Sequence, residues 1–164
     1  MKKLFLFAAV AVFGLTMNAQ EFKLGANVGL PVGDAGDAYT FGIAIDANYL
    51  WEVADSFKAG AAVGYLHALG DSIDTPLGSF DIDDAGFLPI AAAGRYGISD
   101  DFKVGLDLGY ALGISPSGND GGFYYAPRVQ YSVSESLDIV AAYRGISRDG
   151  GSFNVITLGV EFGL

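Results

Sequence analysis

The sequence predicts an all-β protein, an eight-stranded antiparallel up-and-down transmembrane β-barrel preceded by a cleaved signal peptide. Three observations lead there. A Phe-Lys motif followed by regularly spaced glycines recurs along the chain with period-two hydrophobicity. The connections between the implied strands alternate between short and long. Charged side chains fall on one phase of the strands and large apolar ones on the other.

The chain has 164 residues and opens Met1-Lys2-Lys3, then runs apolar from Leu4 to Leu15 and turns polar toward Gln20. A positive head, a short apolar core and a small-residue exit describe a secretory signal. A membrane-spanning helix needs about 20 apolar residues, more than this run supplies. Cleavage after Ala19 or Gln20 divides the chain into a signal peptide, 1–20, and a barrel domain, 21–164. There is no cysteine, hence no disulfide framework and no lipid anchor through a Cys following the signal. Losing Lys2 and Lys3 leaves seven basic against 19 acidic residues, a net charge of −12. Such a balance excludes nucleic acid, whose phosphates require basic surface. Yet 51% of the chain is hydrophobic and 24 residues are glycine, an odd composition for a soluble acidic protein.

The elements follow in order. The segments beginning Phe22-Lys23-Leu24-Gly25, Phe57-Lys58-Ala59-Gly60 and Phe102-Lys103-Val104-Gly105 share Phe, Lys and two glycines, and a weaker copy runs from Leu137-Asp138 to Tyr143. Their starts at 22, 57, 102 and 137 lie 35, 45 and 35 residues apart, and such internal repetition decides the architecture first. Three starts are preceded by an aromatic, any residue, Val or Ile, and a small or acidic cluster: "WEVADSFK", "YGISDDFK" and "YSVSESLD". These read as short turns. The strands entering them are 39–51, 87–96 and 123–131, and 153–164 closes the chain. The other connections, 31–38, 70–86, 114–121 and 147–151, are longer and rich in Gly, Asp, Ser and Pro. A propeller needs four strands in about 40–45 residues, and these units hold two.

Charge placement decides between a lipid-embedded and a soluble barrel. Phe22, Leu24, Val28, Ile43, Ile45, Val63, Ile90, Leu106, Leu108, Val129, Ile139, Ile156 and Leu158 share one phase, whose strand interiors carry no charge; His67 sits there only at a strand end. The opposite phase holds Lys23, Asp46, Lys58, Arg95, Lys103, Asp107, Arg128, Asp138, Arg144 and Glu161, including six of the seven mature basic residues. An Arg or Lys facing lipid at mid-bilayer costs roughly 2–4 kcal/mol. The charged phase is also crowded with Gly and Ala, which suit the narrow interior of an eight-stranded barrel and weaken a solvent-exposed strand. Aromatic residues mark two levels: Trp51, Tyr96 and Tyr131 near the short turns, and Tyr65, Tyr110 and Tyr143 near the long loops. An eight-residue separation along a tilted strand spans about 20 Å, close to the apolar band of a membrane barrel.

With these features in place, "GFLPIAAAGRYGISDDFKVGLDLGYALG" and "GGFYYAPRVQYSVSESLDI" resemble the porin-like barrel proteins of Bacteroidetes, and the mature chain resembles the small outer-membrane β-barrel family of OmpA/OmpX-type size. The closing "TLGVEFGL" resembles that family's C-terminal assembly signal at Thr157, Gly159, Phe162 and the last residue, with Leu164 where an aromatic is usual. The resemblance implies outer-membrane localisation, with both termini and the short turns in the periplasm and the long loops outside. It also implies contact with outer-membrane lipid and lipopolysaccharide and passage through the assembly machinery. A monomer without cofactor is expected.

The inward charges read as an internal network in which buried charges pair, because an unpaired one is costly. Lys23 and Glu161 lie near the periplasmic end on strands that closure makes neighbours, and Asp107 and Arg128 sit at similar heights on adjacent strands. A narrow porin-like path for ions or small solutes is the alternative, kept open by the small inward residues. An enzyme is the more distant one. His67 is the only histidine, it has no serine at close strand spacing, and the chain is not expected to be catalytic. The acidic loop with Asp71, Asp74, Asp81, Asp83 and Asp84 offers oxygen ligands, but "DIDDAG" departs from the EF-hand pattern at Ala85 and Ala92. It reads as solvated surface, and no metal site is expected.

Overall fold

The computed structural model describes residues 20–75 and 78–164. The expected signal peptide lies outside the described residues except for Gln20, which begins the first strand and pairs with Trp51. The strands are β1 (Gln20–Val32), β2 (Tyr39–Ala54), β3 (Phe57–Gly70), β4 (Ser72–Thr75), β5 (Gly78–Asp81), β6 (Ala85–Gly97), β7 (Phe102–Ser115), β8 (Gly122–Ser134), β9 (Leu137–Arg148) and β10 (Gly151–Gly163), with a 3-10 turn at Gly33–Ala35. Eight of them close a barrel in the order β1-β10-β9-β8-β7-β6-β3-β2, each pair antiparallel. The barrel is the one expected from the repeat, with the meander simply closing β10 onto β1.

Period two in the sequence becomes burial with period two in the strands. From Lys23 to Pro31, residues of β1 alternate between buried and exposed, and β8 does the same from Phe123 to Gln130 with only Tyr125 half-buried. The side chains pointing out are the greasy ones: Leu24, Val28, Ile45, Ile90, Leu106, Leu108, Ile139 and Leu158 are all exposed. A water-soluble sheet buries such residues, whereas this wall presents them to lipid.

Closure fixes the stagger. Stepping across the ladder from Phe22 through Tyr49, Ala61, Ala92, Leu108, Tyr125, Gly145 and Asn154 returns to Val32, ten residues further along β1. Eight strands with that shear tilt by about 40° and enclose a backbone cylinder of radius about 8 Å, narrow enough for side chains to fill. Barrel strands run from 12 residues in β9 to 16 in β2, longer than the roughly 9–11 needed to cross a bilayer.

The surplus length changes the loop end. The connection expected over 147–151 shrinks to a two-residue turn, Asp149-Gly150, between β9 and β10, with Gly150 at φ 87°, a conformation that Gly adopts without penalty. The loop expected over 70–86 is not irregular throughout. It contains the β4–β5 hairpin, in which Ser72 pairs with Asp81 and Ile73 with Phe80. At the other end, Asp55-Ser56 makes the β2–β3 turn and Glu135-Ser136 the β8–β9 turn.

Candidate functional site

The lumen is where this fold places its chemistry, and it is filled in two layers. The layer nearer the short turns is ionic. Arg95 Nη1 lies 2.6 Å from Asp107 Oδ1, Asp107 Oδ2 lies 2.8 Å from Arg128 Nη2, and Arg128 Nη1 lies 2.8 Å from Glu161 Oε1. The result is a chain of alternating charge from β6 through β7 and β8 to β10. Asn48 and Gln130 complete it, donating to Glu161 at 2.7 and 2.6 Å. Beside it, Asp46 receives both terminal nitrogens of Arg144, at 2.8 and 2.6 Å, and the amide of Asn27 at 2.9 Å. Thr157 Oγ1 accepts from Arg144 Nε at 3.1 Å, and the hydroxyl of Tyr124 from Arg144 Nη1 at 3.4 Å. Bidentate geometry of this kind makes charge-assisted bonds short and orientation-specific.

A third cluster sits at the mouth between the turns. Lys23 is bonded to Asp138 and lies 2.8 Å from Glu21, which also holds Lys58 at 2.5 Å. Lys103 donates to Ser132, which donates in turn to Asp138. All ten inward charges picked out from the sequence therefore face the lumen, and each has an oppositely charged partner. Asp107 and Arg128 meet directly. Lys23 and Glu161 come from neighbouring strands, but their ion pairs go elsewhere, Lys23 to Asp138 and Glu21, Glu161 to Arg128. The β1–β10 register sets Glu161 opposite Gly25, two residues further from the turns than Lys23.

The layer nearer the loops is apolar. Phe87, Phe153, Leu66, Ile146 and Val155 are fully buried and pack with Ala68, Ala111 and Ala126. The rings of Phe87 and Phe153 lie 4.8 Å apart, Tyr39 meets Phe153 edge-on at 5.1 Å, and the guanidinium of Arg148 lies over both phenyl rings at 5.8 and 5.7 Å. Picking out the charged residues alone missed this plug and also Glu21, Asn27, Asn48, Tyr124 and Gln130. The signal was present, because all of them occupy the same strand phase as the charges.

At two inward glycines the space is taken by neighbouring side chains. A Cβ on Gly64 would stand 2.6 Å from Asp46 Oδ1, and one on Gly105 would stand 2.6 Å from Arg95 Cδ and 3.1 Å from Arg128 Cγ. Their missing side chains make room for the long ones of neighbouring strands. A gap of about 10 Å³ lies between Asp46, Gly64, Asp107 and Tyr124, at the threshold for one water.

On the outer wall, Phe57 pairs with Tyr96 and Phe102 with Tyr131 at the turn end, near Trp51, while Tyr110 pairs with Phe123 toward the loops. Tyr65, Tyr96, Tyr110 and Tyr131 are exposed on this wall and Tyr143 is half-buried against Tyr125, 6.2 Å away. Phe162 and Leu164 are exposed at the end of β10, whereas Thr157 faces inward and serves the Arg144 site. His67 faces outward at the loop end, stacked on Tyr65, with Nε2 3.2 Å from Asp84 Oδ2; Asp84 also accepts the N–H of Gly70. Gly86 pairs with both His67 and Ser115, so the ladder brings a serine to within two strands of the histidine, which spacing along the chain does not reveal. Among the described residues no group of three or more His, Cys, Asp or Glu is arranged to hold a metal ion.

A closed barrel with a lipid-compatible wall and a charged lumen matches the family profile described as "Outer membrane protein beta-barrel domain" over residues 5–163. The chain belongs to that family. It is an outer-membrane β-barrel protein. None of the curated proteins compared with it matches. Among solved structures, Ail, the attachment invasion locus protein of Yersinia pestis, is 14% identical with a TM-score of 0.60, the match covering 90% of this chain and 100% of that one. Ail has also been solved in complex with the heparin analogue sucrose octasulfate. OprG from Pseudomonas aeruginosa is 11% identical with a TM-score of 0.56, over 89% of this chain and 96% of that one. A de novo designed transmembrane β-barrel matches at 13% identity and a TM-score of 0.56, over 88% and 95%. At these identities the likeness is one of fold.

Proposed function

We propose that this barrel is a closed, non-catalytic outer-membrane protein that acts through its loops, with the loops outside the cell and the turns and both termini in the periplasm. The observation that carries the reading is the doubly filled lumen. A paired ionic layer and an apolar plug lie in series, and the gap between Asp46, Asp107 and Tyr124 is about 10 Å³. A hydrated ion would have to break several buried pairs and then cross a dry layer.

Two features of the loop end suit it to interaction. A cleft of about 560 Å³ opens between the β7–β8 and β9–β10 connections, lined by Asn119, Asp120, Arg148 and Asp149 among others. The β4–β5 hairpin projects with Phe80 62% exposed, a large apolar side chain offered to a partner. The loops carry Asp34, Asp37, Asp71, Asp74, Asp81, Asp83, Asp84, Asp120 and Asp149 against Arg148 alone. A polyanion such as the sulfated sugar bound by Ail is therefore disfavoured here, and a neutral or cationic partner, or lipopolysaccharide bridged by divalent cations, is favoured. The aromatic residues at the two levels serve as interfacial anchors, and Gly159, Phe162 and Leu164 serve the assembly machinery.

The competing reading is a narrow pore. Refolded protein in planar bilayers is expected to show no reproducible single-channel steps; steps of uniform size would overturn the closed lumen. Unboiled samples are expected to run at a different gel mobility from boiled ones, as a detergent-resistant barrel does.

A further inference from the structure

At the turn end a cleft of about 140 Å³ opens between the β2–β3 and β6–β7 turns, lined by Glu52, Ser56, Lys58, Arg95, Ser99 and Lys103. On the lipid-facing wall beside it lies an apolar groove of about 510 Å³ over β3, β6 and β7. The groove exists because Ala59, Ala92 and Gly94 are small where their neighbours Phe57, Tyr96 and Leu106 are large. Phe57 lines both hollows, so the two meet at the rim of the barrel.

The charge around the cleft is uneven. Six cations (Lys23, Lys58, Arg95, Lys103, Arg128 and Arg144) share the inward strand phase with six carboxylates (Glu21, Asp46, Glu52, Asp107, Asp138 and Glu161), in a chain whose mature net charge is −12. Three of the six cations line this one cleft, against one of the carboxylates, Glu52. Arg95 is 3% exposed, and its Nε has no hydrogen-bond partner. The side chains of Lys58 and Lys103 keep 34% and 23% of their surface, and each ammonium has three donors, more than its partners here occupy. A basic hollow at headgroup depth beside an apolar furrow at acyl-chain depth is complementary to an anionic amphiphile lying along the wall.

We infer that groove and cleft form one binding site for an anionic glycerophospholipid, with an acyl chain in the groove over Ala59, Ala92 and Gly94 and the headgroup phosphate held by Lys58 and Lys103. The assignment to the periplasmic leaflet rests on the orientation proposed above. Large apolar residues pack the wall on either side of the furrow, so a chain lying there gains contact on both flanks, and the phosphate replaces water around two partly exposed lysine side chains.

The test is native mass spectrometry of the full mature chain released from vesicles of equal phosphatidylglycerol and phosphatidylcholine. Retained phosphatidylglycerol is expected in excess. Lys58→Gln and Lys103→Gln are each expected to lower that excess about fivefold, the effect of one basic residue at an anionic surface. Ala92→Trp fills the groove and is expected to reduce retention of both lipids. Equal retention of the two lipids by the unaltered chain would overturn the site. So would displacement of phosphatidylglycerol by glycerol phosphate with Ala92→Trp having no effect, which marks a soluble-anion pocket. A dimer that Ala92→Trp dissociates would overturn it in favour of a second copy. Heat-dependent gel mobility checks that each variant is folded, and the two lysines are tested separately so that one failure leaves the other. Retention does not depend on which leaflet is involved. Proteolysis of intact cells at the turns instead of the loops would overturn the orientation alone.

Discussion

Glu161→Gln is expected to destabilise the folded barrel by about 3–5 kcal/mol, the cost of breaking a buried ion pair from one side. Glu161 is 2% exposed and accepts from three donors, Arg128 at 2.8 Å, Asn48 at 2.7 Å and Gln130 at 2.6 Å. Glutamine preserves the shape but removes the charge, and its NH2 group faces one of those donors. Arg128 is then left sharing Asp107 with Arg95, so two buried guanidinium groups meet one carboxylate. At an effective dielectric constant of about 20, unit charges about 4 Å apart interact by roughly 4 kcal/mol, which agrees with the mutational range. The measurement is urea unfolding of protein folded into lipid vesicles, with Trp51, the single tryptophan, as reporter. The double variant Arg128→Met/Glu161→Met removes both ends and leaves Arg95 and Asp107 as a matched pair. It is expected to recover more than half of the loss, since apolar replacement of a whole buried pair is often neutral or favourable. A single-variant loss under about 1 kcal/mol would refute the reasoning, because it would mean water already solvates this layer. So would a double variant as weak as the sum of its parts.

Phe153→Ala removes a ring packed against Phe87 and Tyr39 and is expected to cost about 3–5 kcal/mol in the same assay, without opening conductance, because the ionic layer beneath it is untouched. Leu106→Arg, midway up the outer wall, is expected to cost roughly 2–4 kcal/mol in vesicles, whereas Leu30→Arg near the loop end is expected to cost about 0–1 kcal/mol; equal costs would argue against lipid on this face. A Cβ on Gly145 would fall 2.2 Å from the ring of Tyr125, so Gly145→Val is expected to dislodge that ring from Tyr143. A Tyr125→Ala background should relieve the loss, with a coupling of about 1 kcal/mol in the double-mutant cycle.

Several parts of this molecule were legible before any coordinates. Phe102 to Leu112 alternates large apolar with small or charged residues, and alternation in an extended chain can mean only two faces. Lys103 and Asp107 share a face with Gly105 and Gly109, and that combination points inward because neither lipid nor a wet exterior would favour it. The loop expected over 70–86 was placed correctly, but its β4–β5 hairpin was not foreseen, since Ser72–Thr75 and Gly78–Asp81 are each only four residues long. Phe87 and Phe153 also carry their lumenal position in their parity, but as apolar residues on the charged phase they do not stand out by charge.

The sequence by itself determined the number of barrel strands, the meander, the inward phase and hence the membrane, because each of these follows from local periodicity along one chain. Only the tertiary structure decided which charges meet. Glu161 pairs with Arg128, on a strand two places away, and not with Lys23 on the adjacent strand; Arg144 reaches across the lumen to Asp46. Those choices depend on the ten-residue stagger on closure and on the space that Gly64 and Gly105 leave to their neighbours. Depth in a barrel is a property of the closed ring, and no single strand carries it.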